Sequence, residues 1–549
     1  MSELQQKRPP DARTHGGSSE WAVSPWVRPW SLGTSVREWY LWGPALVVAV
    51  GVLTPVVYLV LRALGAEPAQ LADLVIRGRT LRLLWNTVAL TVGVLACTTA
   101  IAFPMAWLTA RTDLWGRRLV TLIGVLPLAV PGYVMAYVLL ATTGSYGTLA
   151  QWTGLVVPRI SGYAGALLAL SLYLFPYLFL NLRTALLDLD PSLEESARAL
   201  GYSRGEVLWR VVLPQLRPGF LSGGLLVGLH VLGDFGVVSL MRFKTFSYAL
   251  YLQYTSSYDR IYAACLALML LALTIAVLFL EARLLRGLLL HRTGSGTTRR
   301  GARLRLGPWR WVAYLFVGLV ALASVGVPVG TVFQWMGANA NIPWGALGAA
   351  LTDSVSASIP AAVLAAALAL PVAYLGVRRP SRGTRALERL AYFGYATPPL
   401  AFALAFIFFT LGTAPPLYQT LALLVLAYAL HFLAEAVGPV RTALYQASPQ
   451  LEEAARSLGR SPLQAFMETT FPLLRGGLLV SVALVFLSAM KELPITFLLS
   501  PIGFRSLALK AWSHAEAAMF AEAAPYALAI IGVSAAFVGV LLVRERRSG

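Results

Sequence analysis

Asp234, Lys491 and Glu492 sit where charge is costly, each within a long apolar run. An ionised group at membrane depth usually faces a bundle interior or a water-filled cavity, so the chemistry on offer is binding and gating of a solute. On one reading the three residues line or gate the outer end of a translocation pathway. On the other, Asp234 and Lys491 form a buried ion pair that fixes how two halves pack; the two readings are compatible. His431 and Glu435 lie four residues apart and could share a helix face. The five histidines are scattered, which supports neither a metal site nor a proton relay. Cys97 and Cys265 each lie in an apolar run, so no disulfide or cysteine–metal framework is supported. No GxxxxGK(S/T) loop occurs, so any ATP chemistry belongs to a separate chain. The sequence holds no catalytic constellation and is not expected to be an enzyme.

The elements that position these residues are membrane spans. The 549 residues are 57% hydrophobic and 13% charged, with a mean hydropathy of +0.68, whereas soluble domains carry about 25% charged residues. About twelve apolar runs are long enough to cross a bilayer as helices. They lie near 41–63, 86–110, 119–141, 163–182, 219–240 and 261–281, then 311–335, 354–376, 390–412, 417–438, 477–500 and 524–543. The fold class is therefore all-α and polytopic. Residues 1–40 are expected to form a cytoplasmic tail without a cleavable signal, with an interfacial belt at Trp39, Tyr40 and Trp42. Residues 41–285 form a first half, 286–310 a basic cytoplasmic linker, and 311–549 a second half. The net charge of +19 suggests nucleic acid at first sight. Most Lys and Arg, however, fall in segments that face inward if both termini are cytoplasmic, which is the positive-inside pattern. The charge then serves topology and contact with anionic lipid, and no nucleic-acid partner is expected.

Two polar segments recur in this apolar background. Pro191–Gly219 and Pro449–Gly477 align without a gap at an offset of 258 residues. The offset pairs Glu194 with Glu452, Glu195 with Glu453, Ala197 with Ala455, Arg198 with Arg456, Gly201 with Gly459, Pro214 with Pro472 and Asp234 with Glu492. Each segment is predicted to be an elbow of two short helices. Asp190 and Ser448 are the N-caps, with Pro191 and Pro449 at the first helical position. Gly201 and Gly459 supply left-handed stops, and Ser203–Glu206 and Ser461–Gln464 have capping-box spacing. Pro214 and Pro472 are expected to end the second helix. Leu200, Leu208, Val211, Leu458 and Phe466 are the candidate apolar knobs. Upstream, an offset of 267 pairs Pro104 with Pro371, Arg111 with Arg378 and Pro131 with Pro398. The change of offset places extra first-half residues in the loop near 142–162. Both halves start on the same side, so the two six-helix repeats are parallel, with a pathway expected on their shared axis. Pro104, Pro127, Pro131, Pro371, Pro398 and Pro399 are expected to kink spans where cavities open.

The run Glu453-Ala454-Ala455, Gly459, Phe471-Pro472 resembles the "EAA" loop of ABC-importer permease subunits. Its first-half counterpart is Glu195-Ser196-Ala197, Gly201, Leu213-Pro214, with Ser196 replacing the usual Ala. The resemblance implies that each elbow sits in a cleft of an ATP-hydrolysing subunit. Two copies of a cytoplasmic ABC ATPase and a periplasmic solute-binding protein are then partners, in a bacterial inner membrane, with no cofactor and no metal held by the chain itself. The ATPase-coupling residues it implies are Glu195, Ala197, Arg198, Gly201, Pro214, Glu453, Ala454, Ala455, Arg456, Gly459 and Pro472. The stretches Pro127–Leu140, Asp234-Phe235-Gly236 and Lys491-Glu492-Leu493-Pro494 resemble fused permeases of the ferric-iron importer type, though permeases for thiamine, phosphonate or other small solutes look alike at this level. That resemblance implies outward loops, including Tyr248, Tyr251, Tyr254 and Tyr258, on which the binding protein docks. A secondary transporter with two six-helix halves is the alternative of a different class.

Overall fold

In the computed structural model the described residues are 39–65, 77–257, 260–285, 304–338 and 342–548. The expected tail up to residue 38, linker residues 286–303 and Tyr258 lie outside them, as do the side chains of Trp39 and Tyr40. Apart from one isolated bridge between Thr112 and Leu304, every regular element described is helical. Lipid offers backbone groups no hydrogen bonds, so apolar runs of this length satisfy them internally as helices.

Eight spans are single helices long and apolar enough to cross a membrane, and four more are bent pairs, which gives twelve among the described residues. The chain is an all-α polytopic membrane protein. The third and ninth spans are the most sharply broken. Arg117–Ala129 meets Gly132–Thr142 at 93°, and Arg382–Ala396 meets Pro399–Thr413 at 103°. Pro131 and Pro398 stand in those breaks with extended backbone (ψ 151 and 132°). A proline lacks the N–H that a helix needs and disfavours helical geometry in the residue before it. Pro104 and Pro371, by contrast, lie within the unbroken helices Gly78–Arg111 and Trp344–Arg378.

The helices of the fifth and eleventh spans end sooner than the apolar runs suggest. They stop at Gly233 and Met490, and after a turn the short helices Gly236–Leu240 and Pro494–Leu499 follow. The extra residues between the third and fourth spans fold as a small helix, Thr148–Thr153, where the change of offset placed them. The second half has one short turn of 3-10 helix there, Pro415–Leu417.

The halves interlock. The first span, Trp39–Leu64, packs against Trp344–Arg378 and both parts of the ninth span. The seventh, Trp309–Gly337, packs against the third span and Phe520–Ser548. Gly51 also lets the first span approach the tenth, because a Cβ there would meet Leu430 of Leu421–His431 at 2.9 Å. Outward-facing apolar side chains such as Val47, Val92 and Phe279 remain exposed, as a lipid-facing surface requires.

Candidate functional site

Two regions carry the candidate residues: the pair of elbows, and a cavity between the halves.

Each elbow begins as its sequence dictates. The Asp190 carboxylate accepts from the Ser192 N–H at 2.9 Å, and Ser448 Oγ accepts from the Gln450 N–H at 3.3 Å. The Ser192 N–H holds the Asp190 carboxyl below its ordinary range. The helices Pro191–Ala199 and Pro449–Ser457 end at Gly201 (φ +88°) and Gly459 (φ +86°). Tyr202 N–H then reaches Ala197 O at 3.2 Å and Arg460 N–H reaches Ala455 O at 3.1 Å, closing a Schellman stop. Both capping boxes form. Pro472 does not end the second helix, which is continuous over Pro462–Met490, whereas beside Pro214 the helix stops at Gln215 and bends by 58° into Arg217–Gly233. A π turn precedes each proline, at Leu208–Val212 and Phe466–Thr470, and in the second half the helix runs on into the following span. The wider turn relieves the clash a proline ring makes with the preceding carbonyl.

Glu195, Arg198, Glu453, Ala454 and Arg456 are exposed, Ala197 is buried and Ala455 half-buried. Among the candidate knobs, Leu200 and Leu458 point outward, 78% and 85% exposed. Leu208, Val211 and Phe466 instead pack on the body. Trp209 and its repeat partner Met467 take the outward positions, 72% and 49% exposed.

Sequence reasoning missed how the elbows are tied down. Arg111 Nη2 donates to Glu194 Oε1 at 2.5 Å. In the second half Arg378 lies 3.9 Å from Glu452, which also accepts from Tyr374 OH at 2.8 Å and Thr470 Oγ1 at 2.5 Å. The signal was present, since Arg111 pairs with Arg378 and Glu194 with Glu452 in the repeat, but at two different offsets.

The cavity, about 190 Å³, lies where the breaks of both halves meet. Pro131, Pro398 and Pro399 form part of its wall, and Asp234, Lys491 and Glu492 all line it. Asp234 Oδ1 accepts from the N–H groups of Val237 (2.9 Å) and Val238 (3.3 Å), and Glu492 Oε1 accepts from the Ile495 N–H at 2.9 Å. The two carboxylates thus cap the short helices that follow each break. Lys491 Nζ donates to Leu128 O at 3.2 Å, so the structure does not form the alternative Asp234–Lys491 ion pair. His431 and Glu435 stand on either side of a 53° bend rather than on one straight face, yet both reach the cavity. Ser488 Oγ donates to Glu435 at 2.7 Å. His230 packs on Tyr177 at 4.5 Å between ring centroids, a contact that no local pattern in the chain signals.

Phe235, part of the cavity wall, forms one adjoining aromatic cluster with Tyr251, Phe497 and Trp512, with centroids 4.7–6.1 Å apart. Trp512 Nε1 donates to Ser239 across the two halves at 3.1 Å. Tyr251 is half-buried against this cluster, and Tyr254 faces Tyr418 with their hydroxyls 3.4 Å apart.

Residues 101–289 and 358–544 each match the family described as binding-protein-dependent transport system inner membrane component. The Fe(3+)-transport system permease protein FbpB 2 of Haemophilus influenzae is 31% identical over 498 residues, 89% of this chain and 96% of its own. The probable ABC transporter permease y4fN of Sinorhizobium fredii is 25% identical over 94% of this chain and 98% of its own. The molybdenum transport system permease ModB of Escherichia coli is 32% identical over 28% of this chain and 69% of its own.

Proposed function

This chain belongs to the family of inner membrane components of binding-protein-dependent transport systems, and from that premise we propose that it admits ferric iron to the cytoplasm. It is a multi-pass permease of the ABC-importer class, a transport component and not an enzyme. Family membership sets aside the secondary-transporter alternative.

The observation that carries iron is the similarity to a ferric permease through both halves, where the molybdenum relative matches a short stretch. The cavity supports it. Asp234, Glu435 and Glu492 place three carboxylates in the wall against one lysine, Lys491. An acidic, low-dielectric wall attracts a hard cation and repels sulfate or molybdate. Among the described residues no group of three or more His, Cys, Asp or Glu converges to hold a metal. On this reading the wall conducts the ion without storing it.

Iron arrives on a periplasmic binding protein, and two copies of a cytoplasmic ATPase grip the two elbows. The elbows, both termini and the linker lie on the cytoplasmic face, as the basic residues indicate. Residues 41–285 and 311–549 act as the two halves, rocking between inward and outward openings. The coupling contacts centre on Glu195, Arg198, Gly201, Glu453, Arg456 and Gly459. Asp234, Lys491 and Glu492 line the route, and the aromatic cluster closes its far side.

Uptake of labelled Fe(III) by cells carrying the whole transporter tests this reading. Excess molybdate, sulfate, thiamine or phosphonate is expected to leave uptake unchanged. Asp234→Asn with Glu492→Gln, which keeps side-chain oxygens to cap both helices, is expected to lower it about tenfold or more. Absence of Fe(III) uptake, with uptake of one of those other solutes in its place, contradicts the assignment.

A further inference from the structure

The two elbows are built alike but braced unequally. Glu194 and Glu452 occupy equivalent positions, and each faces an arginine at the end of an equivalent span. In both ion pairs the side chains are mostly buried: 12% and 18% exposed in the first, 11% and 7% in the second. Around Glu452 the brace is a network of Arg378, Tyr374 and Thr470. Arg378 also donates to Ala447 O at 2.8 Å, joining the eighth span to the end of the tenth. At the positions equivalent to Tyr374 and Thr470 the first half carries Trp107 and Val212, neither of which offers a hydroxyl. Among the described residues, Arg111 is the one side chain that holds Glu194.

We propose that Arg111 and Arg378 are positioning residues for energy coupling, and that the first elbow, held by a single ion pair, is the compliant one. An elbow moved by an ATPase shifts the spans only through rigid contacts. Loss of Arg111 leaves the first elbow attached by its chain ends and apolar packing. Loss of Arg378 leaves Glu452 still held by two hydroxyls. The proposal rests on the docking of the ATPase at the elbows and adds to it an asymmetry between the halves.

The test uses the full chain in lipid nanodiscs, with amide exchange measured over 191–207 and 449–465. Arg111→Gln is expected to speed exchange in the first elbow about tenfold, and Arg378→Gln to speed the second less than about threefold. Adding Tyr374→Phe to Arg378→Gln should bring the second elbow to the level of the first. The swap Arg111→Glu with Glu194→Arg should restore protection, which separates a lost tether from a folding defect. In vesicles that also hold the ATPase and the binding protein loaded with labelled Fe(III), ATP hydrolysed per ion imported should rise about tenfold for Arg111→Gln and less than about threefold for Arg378→Gln. Arg111→Lys should return that ratio close to the starting value. Equal acceleration of the two elbows by the single substitutions overturns the asymmetry, and an unchanged ratio in Arg111→Gln overturns the coupling role. A wild-type chain that leaves the ATPase unstimulated contradicts the docking premise, whereas the exchange data judge the brace alone.

Discussion

Gly201→Val combined with Gly459→Val abolishes uptake while the protein still inserts in the membrane at its normal level. Both glycines hold φ near +87°, a conformation that costs an ordinary residue about 1–2 kcal/mol and a β-branched one more. No atom lies within 4 Å of a Cβ built at either position, so the effect is conformational and not a clash. Relaxing the strain opens the Schellman stop and swings Leu200 and Leu458 away from their present directions. The spans do not depend on this turn, which is why insertion survives. Uptake scored against membrane-protein level checks it. Gly201→Ala with Gly459→Ala, which imposes less strain, is expected to leave measurable uptake.

The second large effect is expected from Leu200→Asp with Leu458→Asp. These are the most exposed apolar side chains on the elbows, and their burial by a partner contributes about 1.5–3 kcal/mol each. An aspartate in the same place adds the cost of an unpaired buried charge. Across two sites the affinity for the ATPase should fall about a thousandfold or more. In the free chain both positions face solvent, so thermal stability should hardly change. Co-purification with the ATPase, compared with melting of the isolated chain, separates the two effects.

Much of this was legible in the sequence because it is written in local pattern. Apolar runs of span length marked the twelve membrane crossings, and caps such as Ser203–Glu206 and the glycine stops depend on neighbours within a turn. The repeat identified Asp234 and Glu492 as equivalent from their spacing alone. The rest depends on contacts between distant residues. Arg111 reaches Glu194 across 83 positions, and the two members follow different repeat offsets, which hid their symmetry. Asp234 and Lys491 seemed natural partners by charge, but nearby backbone groups won both: N–H donors for the carboxylate and a carbonyl for the ammonium. Pro214 and Pro472 both read as helix ends because a proline usually is one; the helix does stop beside Pro214, at Gln215, but at Pro472 it passes through behind a π turn. Leu208, Val211 and Phe466 could not be told from Leu200 by type, since only the docked orientation of the elbow decides which face is covered.

A photo-activated cross-linking residue placed at Leu200 or at Leu458, with one at Val47 on the lipid-facing surface as a control, tests the central claim most directly. In membranes containing the whole transporter, both elbow positions should yield an adduct of this chain with the ATPase, and Val47 none. Cross-linking at neither elbow, in a complex that still hydrolyses ATP and imports its solute, contradicts the account.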